Sequence, residues 1–594
     1  LVIATTLVVA ACSILYELLL AQTLTALLGN TVLRYSITIG CYLGALGLGA
    51  MLAGSDHRDP VARLARVELG LSVLGGLAVP AFFLFDGLQR YLTNFVAGED
   101  AAYPAIGFMV ATHLIIIAIG VLSGFEIPLL IALGERARTK STNLVLGLDY
   151  FGSLVGSVLF PLVLLPRVGL LATGFSIALL NAAVLLLILA RSRPPRTRRY
   201  ALGAAAITPL LALGIARADD IEQHFVEQLY FAHDVDSPWE LLAPNPRDRD
   251  VDHYQSRYQT IDVVRDRDPD QWLTNALSRR RETHRDRPDD VWLYLEGEFQ
   301  MFSGGDEYYH EWFVHAPVQA TGRVPKRVAL LGGGDGLALQ QILAYEDVER
   351  VYHVELDDLM LKLAREHEAL SALHDDPWSD PRVELVLADA FSWLRNTDTR
   401  FDAIYVDMPY ARDHNLSMVY SREFYGLARS HLSERGFLAL DSPSGWCGWI
   451  DSDWPIFNST LKSAGFESVV PFLSRLDWRS PALDRAAARV ESYGTYVDGK
   501  QRIFTGDEAR SAYRAQLVEG LTNIPEHDFI LALPNQRRPR REWTAFEVPL
   551  DAFGPHELML AFDETCPAEI DPAAVNTIFR PTMPTLELAS FRVP

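Results

Sequence analysis

Apolar residues are distributed unevenly along this chain. Up to about residue 217 they form long runs, at roughly 1–28, 32–54, 64–85, 105–133, 143–165, 168–190 and 201–216. Most approach the ~20 residues an α-helix needs to cross a bilayer. A cleaved leader would be a single run followed by polar sequence, so the pattern predicts a polytopic helical domain in the cell membrane, with the bilayer as a partner. Six or seven helices are expected. The last run, "ALGAAAITPLLALGIA", is short, rich in alanine and glycine, and contains Pro209.

From about Ala218 the apolar runs shorten and polar residues separate them. "YQSRYQTIDVVRD" and "VWLYLEGEFQMF" combine β-branched and aromatic residues with partial alternation, which predicts strands. The charged stretch between them reads as a solvated loop or exposed helix. Strand and helix patterns then alternate, which is the signature of a parallel sheet. Strands are expected at 327–332, 350–356, 383–389, 401–407 and 436–442, and helices around 337–345, 358–369 and 421–432. "HDFILALP" (527–534) reads as a returning last strand. The expected domains are 1–217 (multi-pass membrane), 218–320 (linker and small β-strand subdomain), 321–535 (α/β, with a charged insertion at about 475–525) and 536–594 (an extension with no assignable role).

Charge and cysteine usage narrow the function. The formal net charge is −22, which excludes the basic footprint that nucleic acid requires. Cys12, Cys41, Cys447 and Cys566 show neither metal-ligand nor redox spacing, so neither a metal site nor a disulfide framework is expected. Arginine and lysine concentrate in alternate connections: Arg58, Arg63 and Arg66; Arg136, Arg138 and Lys140; then five arginines between Arg191 and Arg199. By the positive-inside rule these connections are cytoplasmic. Glu17, Glu126 and Asp149 lie inside apolar runs, where an acid either pairs (with Arg34, His113 or freed backbone) or marks a cation path.

The candidate chemistry sits at strand ends. In an open α/β sheet, ligands bind beyond the carboxyl ends of the strands. "LLGGGDGLAL" places Gly332, Gly334 and Asp335 after the first strand. Glu355, Asp389 and Asp407 close the next three, the last two in "LADAF" and "YVDMP". An acid about twenty residues beyond a glycine loop can take both ribose hydroxyls. Asp389 can accept from an adenine amino group. Asp407 is placed to act as a general base.

In order along the chain, "SRYQTIDV", "LYLEGEFQ", "DEYYHEWFVHAP", "LLGGGDGLAL", "HVELD", "PRVELVLADAF", "FDAIYVDMP" and "YSREFY" resemble the spermidine synthases, aminopropyltransferases that use decarboxylated S-adenosylmethionine. "GFEIPLL" and "DYFGSLVGSVLFPL" resemble the membrane part of membrane-bound members. The resemblance implies a Rossmann-like (class I methyltransferase-like) fold and a membrane-anchored enzyme of polyamine biosynthesis. It implies transfer of an aminopropyl group to a small amine, with 5′-methylthioadenosine released. Asp407 would be the base. Gln259, Gly332, Gly334, Asp335, Glu355, Asp389 and Ala390 would hold the donor, and His310, Asp335 and Tyr410 the amine. Asp335 would face the donor's ammonium and repel the carboxylate of ordinary S-adenosylmethionine.

Two departures from the family pattern bear on the acceptor. A second acid is expected three residues after Asp407, where this chain has Tyr410; and "GDGF" appears as "ADAF", with Ala388 and Ala390 in place of glycines. The acceptor could therefore be putrescine-like, or bulkier and stacked on Tyr410. No proline of the family's gate sequence stands near His414. A polyamine or cation transporter with an inactive nucleoside-binding domain, an inert binding module and a methyltransferase stay open as alternatives. A homo-oligomer is compatible with the chain. The donor is made in the cytosol, which favours the cytosolic face for the soluble part and requires either that the seventh run not span or that one of the early runs not be a span.

Overall fold

The computed structural model describes residues 2–28, 31–53, 59–93, 95–96, 102–136, 142–192, 197–232, 235, 237–242, 250–266, 290–303, 306–411, 416–442, 445–448, 452–474, 479–488, 492–497, 500–519, 527–535, 537–544, 548, 550 and 553–582. The charged stretch at 267–289 and His414 lie outside these residues. The chain forms two compact units, Leu1–Arg247 and Asp248–Ser590.

The first unit is helical: α1 (Val2–Leu28), α2 (Thr31–Ala53), α3 (Pro60–Thr93), α4 (Ala102–Arg136), α5 (Thr142–Leu159), α6 (Leu170–Ser192), α7 (Thr197–Ala216) and α8 (Ala218–Phe231). The first seven are long and apolar enough to cross a membrane. The α5 helix runs on through a π-helical turn at Phe160–Leu164, where Pro161 offers no amide hydrogen to an α-helical ladder. The seventh run is one continuous 20-residue helix with Pro209 inside it. Helices α2 and α4 meet through glycines: a Cβ on Gly49 would lie 2.1 Å from the Val121 carbonyl oxygen, and one on Gly124 2.1 Å from that of Leu46. Such contacts let backbones approach closely where lipid provides no hydrophobic drive. The α8 helix packs on α3 and α6, so the compact unit ends later than the composition change at 217.

Inside this bundle Glu126 is buried, and its Oε1 has no hydrogen-bond partner among the described residues. Arg34 reaches the Met109 sulfur and His113 the Met109 carbonyl. Glu68, which the sequence reading passed over, is also buried and accepts from Asn181 Nδ2 at 2.9 Å.

The second unit begins with an antiparallel sheet, β1 (Asp250–Gln255), β2 (Thr260–Asp266), β3 (Asp290–Leu295) and β4 (Glu298–Phe302), in that order. Glu296 and Gly297, both with positive φ, make the two-residue turn joining β3 to β4. Helix α9 (Asp306–Thr321) leads into the main domain. There β5 (Arg327–Gly332), α10 (Leu337–Leu343), β6 (Arg350–Glu355), α11 (Asp358–Glu366), β7 (Val383–Leu387), α12 (Ala390–Asn396), β8 (Phe401–Asp407), α13 (Arg422–His431), β9 (Leu432–Asp441), α14 (Trp454–Ser463) and β10 (Ser468–Leu473) alternate. A second excursion holds α15 (Pro481–Ala488), the hairpin β11 (Ser492–Val497) and β12 (Lys500–Thr505), and α16 (Gly506–Glu519). Then β13 (Asp528–Leu533) and α17 (Pro555–Ala561) follow.

The seven-stranded sheet has the order β10-β13-β9-β8-β5-β6-β7. Strands β5 to β9 run parallel, and β13 returns antiparallel between β9 and β10. This is a Rossmann-like sheet with an apolar layer on each face. Trp312, Phe313 and Tyr405 pack in one layer, and Val406, Phe424 and Phe457 in the other. In the register Gly332 pairs with Asp407, so the glycine loop and the end of β8 lie side by side.

The expectation of no disulfide is corrected. Cys447 and Cys566 are bonded, with a Cα–Cα separation of 5.7 Å across 119 residues of sequence. Residues beyond α17 fold back onto α14: Trp454 Nε1 donates to the Pro567 carbonyl, and Asn458 Nδ2 to that of Glu569. Long-range packing of this kind leaves no trace in cysteine spacing.

Candidate active site

The site is assembled along the edge where the parallel strands end. Gly332 and Gly333 both have positive φ, a conformation that costs L side chains energy. A Cβ on Gly332 would lie 2.0 Å from the Asp407 carbonyl oxygen, which instead accepts from Gly333 N at 2.8 Å. The loop is thereby clamped to the end of β8. It is clamped to β6 as well. Trp378 Nε1 donates to His353 Nδ1 at 2.8 Å, so Nε2 carries the proton and donates to the Gly332 carbonyl at 2.9 Å. Burial holds His353 neutral, with its pKa pushed down to about 4.

Asp335 is half-buried, and its Oδ1 accepts from Leu337 N, the first residue of α10, at 2.9 Å. Glu355 Oε1 accepts from Leu356 N and Asp357 N at 2.8 and 2.9 Å. Its Oε2 faces Gly334, where a Cβ would come within 2.9 Å. Glycine at 334 therefore leaves room beside that oxygen. Gln259 joins from the β1–β2 turn by donating to Asp357 Oδ2 at 3.1 Å.

Asp407 Oδ1 accepts from Tyr309 OH at 2.7 Å. The Tyr309 ring sits among His310, Phe313, His527 and Phe529. Burial, then the Asp335 and Glu355 charges, push Asp407 up to about 7, and the Tyr309 hydroxyl opposes this. Burial lifts Glu355 to about 7 as well, against the pull of its two backbone N–H donors. Acids kept from ionising by burial and like charge mark a crevice suited to a cation.

The Asp335 charge thus raises both Glu355 and Asp407; Gln259 reaches this group through Asp357, and His310 lies against the Tyr309 ring. Asp389 lies one strand further out, where its Oδ2 accepts from Ser392 N at 2.8 Å and caps α12. Ala390 is buried in the sheet's apolar layer. Tyr410 packs against the same layer, and its hydroxyl donates to the buried Asp453. Its hydroxyl is thus engaged, and its ring is partly buried against that layer.

Three groups escaped the sequence reading. Tyr309 lay within a quoted motif but was not singled out. Asp441 closes β9 in the way Asp407 closes β8, so the strand-end rule could have found it. Asp453 had no local signal.

A family model described as the spermine/spermidine synthase domain matches residues 306–451. Polyamine aminopropyltransferase 2 of Ralstonia nicotianae is 34% identical over 476 residues, covering 78% of this chain and 82% of that protein. The polyamine aminopropyltransferase of Leptospira interrogans is 31% identical over 468 residues, covering 77% and 82%. Matches of this extent are longer than the second unit, so they run into the helical unit too. The crystal structure of spermidine synthase from Thermotoga maritima aligns over 58% of this chain and 84% of its own, at 19% identity and a TM-score of 0.31.

Proposed function

The chain belongs to the spermine/spermidine synthase family, and from that premise we propose a membrane-anchored aminopropyltransferase in which the strand-end acids carry the reaction. It moves the aminopropyl group of decarboxylated S-adenosylmethionine to a small amine and releases 5′-methylthioadenosine. The observation that carries the assignment of residues is the gathering of Asp335, Glu355 and Asp407 around the glycine loop, where the Asp335 charge raises the other two carboxyls. A donor with a sulfonium and an ammonium fits such a site, since its charges offset those of the acids. Family membership leaves the transporter reading without support.

Each residue has a role that its geometry supports. Glu355 Oε2, open beside Gly334, takes the ribose hydroxyls. Asp389 and the backbone of Ala390 hold the adenine end, and Gln259 and Asp335 the aminopropyl end. With Oδ1 held by Tyr309, Asp407 has Oδ2 for the amine, beside His310. The amine lone pair forms a C–N bond to the methylene on sulfur, the C–S bond breaks, and its electron pair stays on sulfur. The proton lost by the amine goes to Asp407. The test is amine-dependent release of 5′-methylthioadenosine by the purified full-length protein, lost in Asp407→Asn. Nucleoside binding without release would favour an inert binding module.

For the membrane, the seven apolar helices support lipid as a partner, with Leu43, Met51, Leu154 and Leu210 among the outward-facing apolar residues. Two observations favour the side away from the cytoplasm for the second unit, against the expectation from donor supply. The arginine-rich connections alternate across seven helices, and the last helix is unbroken. The Cys447–Cys566 bond also suits an oxidising compartment. A homo-oligomer is compatible with the chain, and light scattering in detergent reads it.

A further inference from the structure

We infer that Asp441 anchors the second ammonium of a short linear diamine, supplying the charge that position 410 does not; this rests on the aminopropyltransferase reading above. Strands β8 and β9 are parallel neighbours with Val406 opposite Leu440, so Asp407 and Asp441 are the next pair along. Side chains of paired residues in a parallel sheet rise on the same face. That face is marked by Tyr405 and Ala439, which pack in the layer containing α9. Tyr309 comes from the same helix. It donates to Asp407 at 2.7 Å and stands near enough to Asp441 to pull that carboxyl's pKa down.

The one hydroxyl proton of Tyr309 goes to Asp407, and Asp528 at the start of β13 adds a third acid beside Asp441. Burial, then Asp407 and Asp528, hold the Asp441 carboxyl well above the usual range. Among the described residues of the loop after β8, Tyr410 brings no charge and is turned to Asp453. A cation lying from Asp407 toward β13 would resolve the conflict.

Size selects the cation. Neighbouring strands stand ~4.8 Å apart. With ordinary bond lengths, two nitrogens separated by three or four methylenes span ~5–6 Å when extended. When the attacking nitrogen is at Asp407, the other nitrogen of such a diamine falls at Asp441. A monoamine leaves Asp441 unmet, and a bulky aromatic amine has no charge to offer it.

The test compares 1,4-diaminobutane with n-butylamine as acceptors for the purified full-length protein at saturating decarboxylated S-adenosylmethionine. The unsubstituted protein should prefer the diamine. In Asp441→Asn, kcat/KM for the diamine should fall about 10- to 100-fold, chiefly through KM, the scale of a lost charged hydrogen bond. The preference for diamine over monoamine should fall toward unity. In Asp453→Asn the preference should persist. Asp441→Glu keeps the charge and should keep the preference, which carries the test if the amide variant fails to fold. An unchanged preference in Asp441→Asn, or one lost only in Asp453→Asn, overturns the inference. No release by the unsubstituted protein with any amine would remove the family reading beneath it.

Discussion

Replacing Asp335 by asparagine should change which nucleoside the protein prefers while leaving its fold intact. The carboxylate has two separable jobs. Its Oδ1 holds the start of α10 through Leu337 N at 2.9 Å, and an amide oxygen can do the same, so the loss of stability should be small. Its charge is what the donor's ammonium would meet. Two unit charges ~4 Å apart at an effective dielectric near 20 attract by about 4 kcal/mol. Desolvation reduces the net contribution to about 1.5–3 kcal/mol, typical of a charged hydrogen bond, or roughly 10- to 150-fold in affinity. Decarboxylated S-adenosylmethionine should bind the variant more weakly by that factor. Ordinary S-adenosylmethionine carries a carboxylate at the same carbon and should bind better as the repulsion disappears. The affinity ratio of the two should move by about 10²- to 10³-fold. Calorimetric titration of both nucleosides into both proteins reads this directly. A ratio that moves less than about threefold would refute the placement of Asp335 at the aminopropyl end.

Three further outcomes are expected. Because Asp407 is lifted to about 7 and must be ionised to act, kcat/KM should fall as pH drops through about 7. The bound cationic donor favours the carboxylate, so the corresponding limb in kcat should lie at lower pH. Asp407→Asn should lose about 10²- to 10⁴-fold in rate together with that limb, and a limb unchanged in the variant would assign it to another group. Cys447→Ser or Cys566→Ser should lower stability by about 2–4 kcal/mol, as for a disulfide closing a long loop, read as the unfolding midpoint with and without reductant; equal midpoints would argue against the bond. A thiol label on Trp239→Cys, an exposed position, should react from outside intact cells, and reaction only after permeabilisation would return the catalytic unit to the cytosolic face.

Much of the α/β unit was legible because its signals are local. β5 and β8 have the bounds the apolar runs gave, and β6 and β7 end one and two residues earlier. Acids at the ends of buried strands are exposed to a crevice by topology alone, which is why Asp335, Glu355 and Asp407 could be named before any coordinates. What the sequence hid depends on residues far apart in the chain. Tyr309 matters because α9 brings it to a strand nearly a hundred positions later. The Tyr410 hydroxyl meets Asp453 and the Ala390 methyl packs in the core, contacts that no local pattern announces. Asp441 was visible as a strand-end acid. Its importance emerges only from the pairing of β9 with β8 and from the shared tyrosine. The Glu68–Asn181 pair was obscured for a related reason: a glutamate near an arginine-rich connection resembles solvated sequence until the bundle closes around it.

The central claim is that the strand-end acids move an aminopropyl group rather than a methyl group. It is tested most directly by incubating the purified full-length protein with an amine and either decarboxylated or ordinary S-adenosylmethionine, and weighing both products by mass spectrometry. The account predicts equal amounts of 5′-methylthioadenosine and an amine enlarged by one aminopropyl unit, from the decarboxylated donor alone. A methylated amine from the ordinary donor, or no product from either, would contradict it.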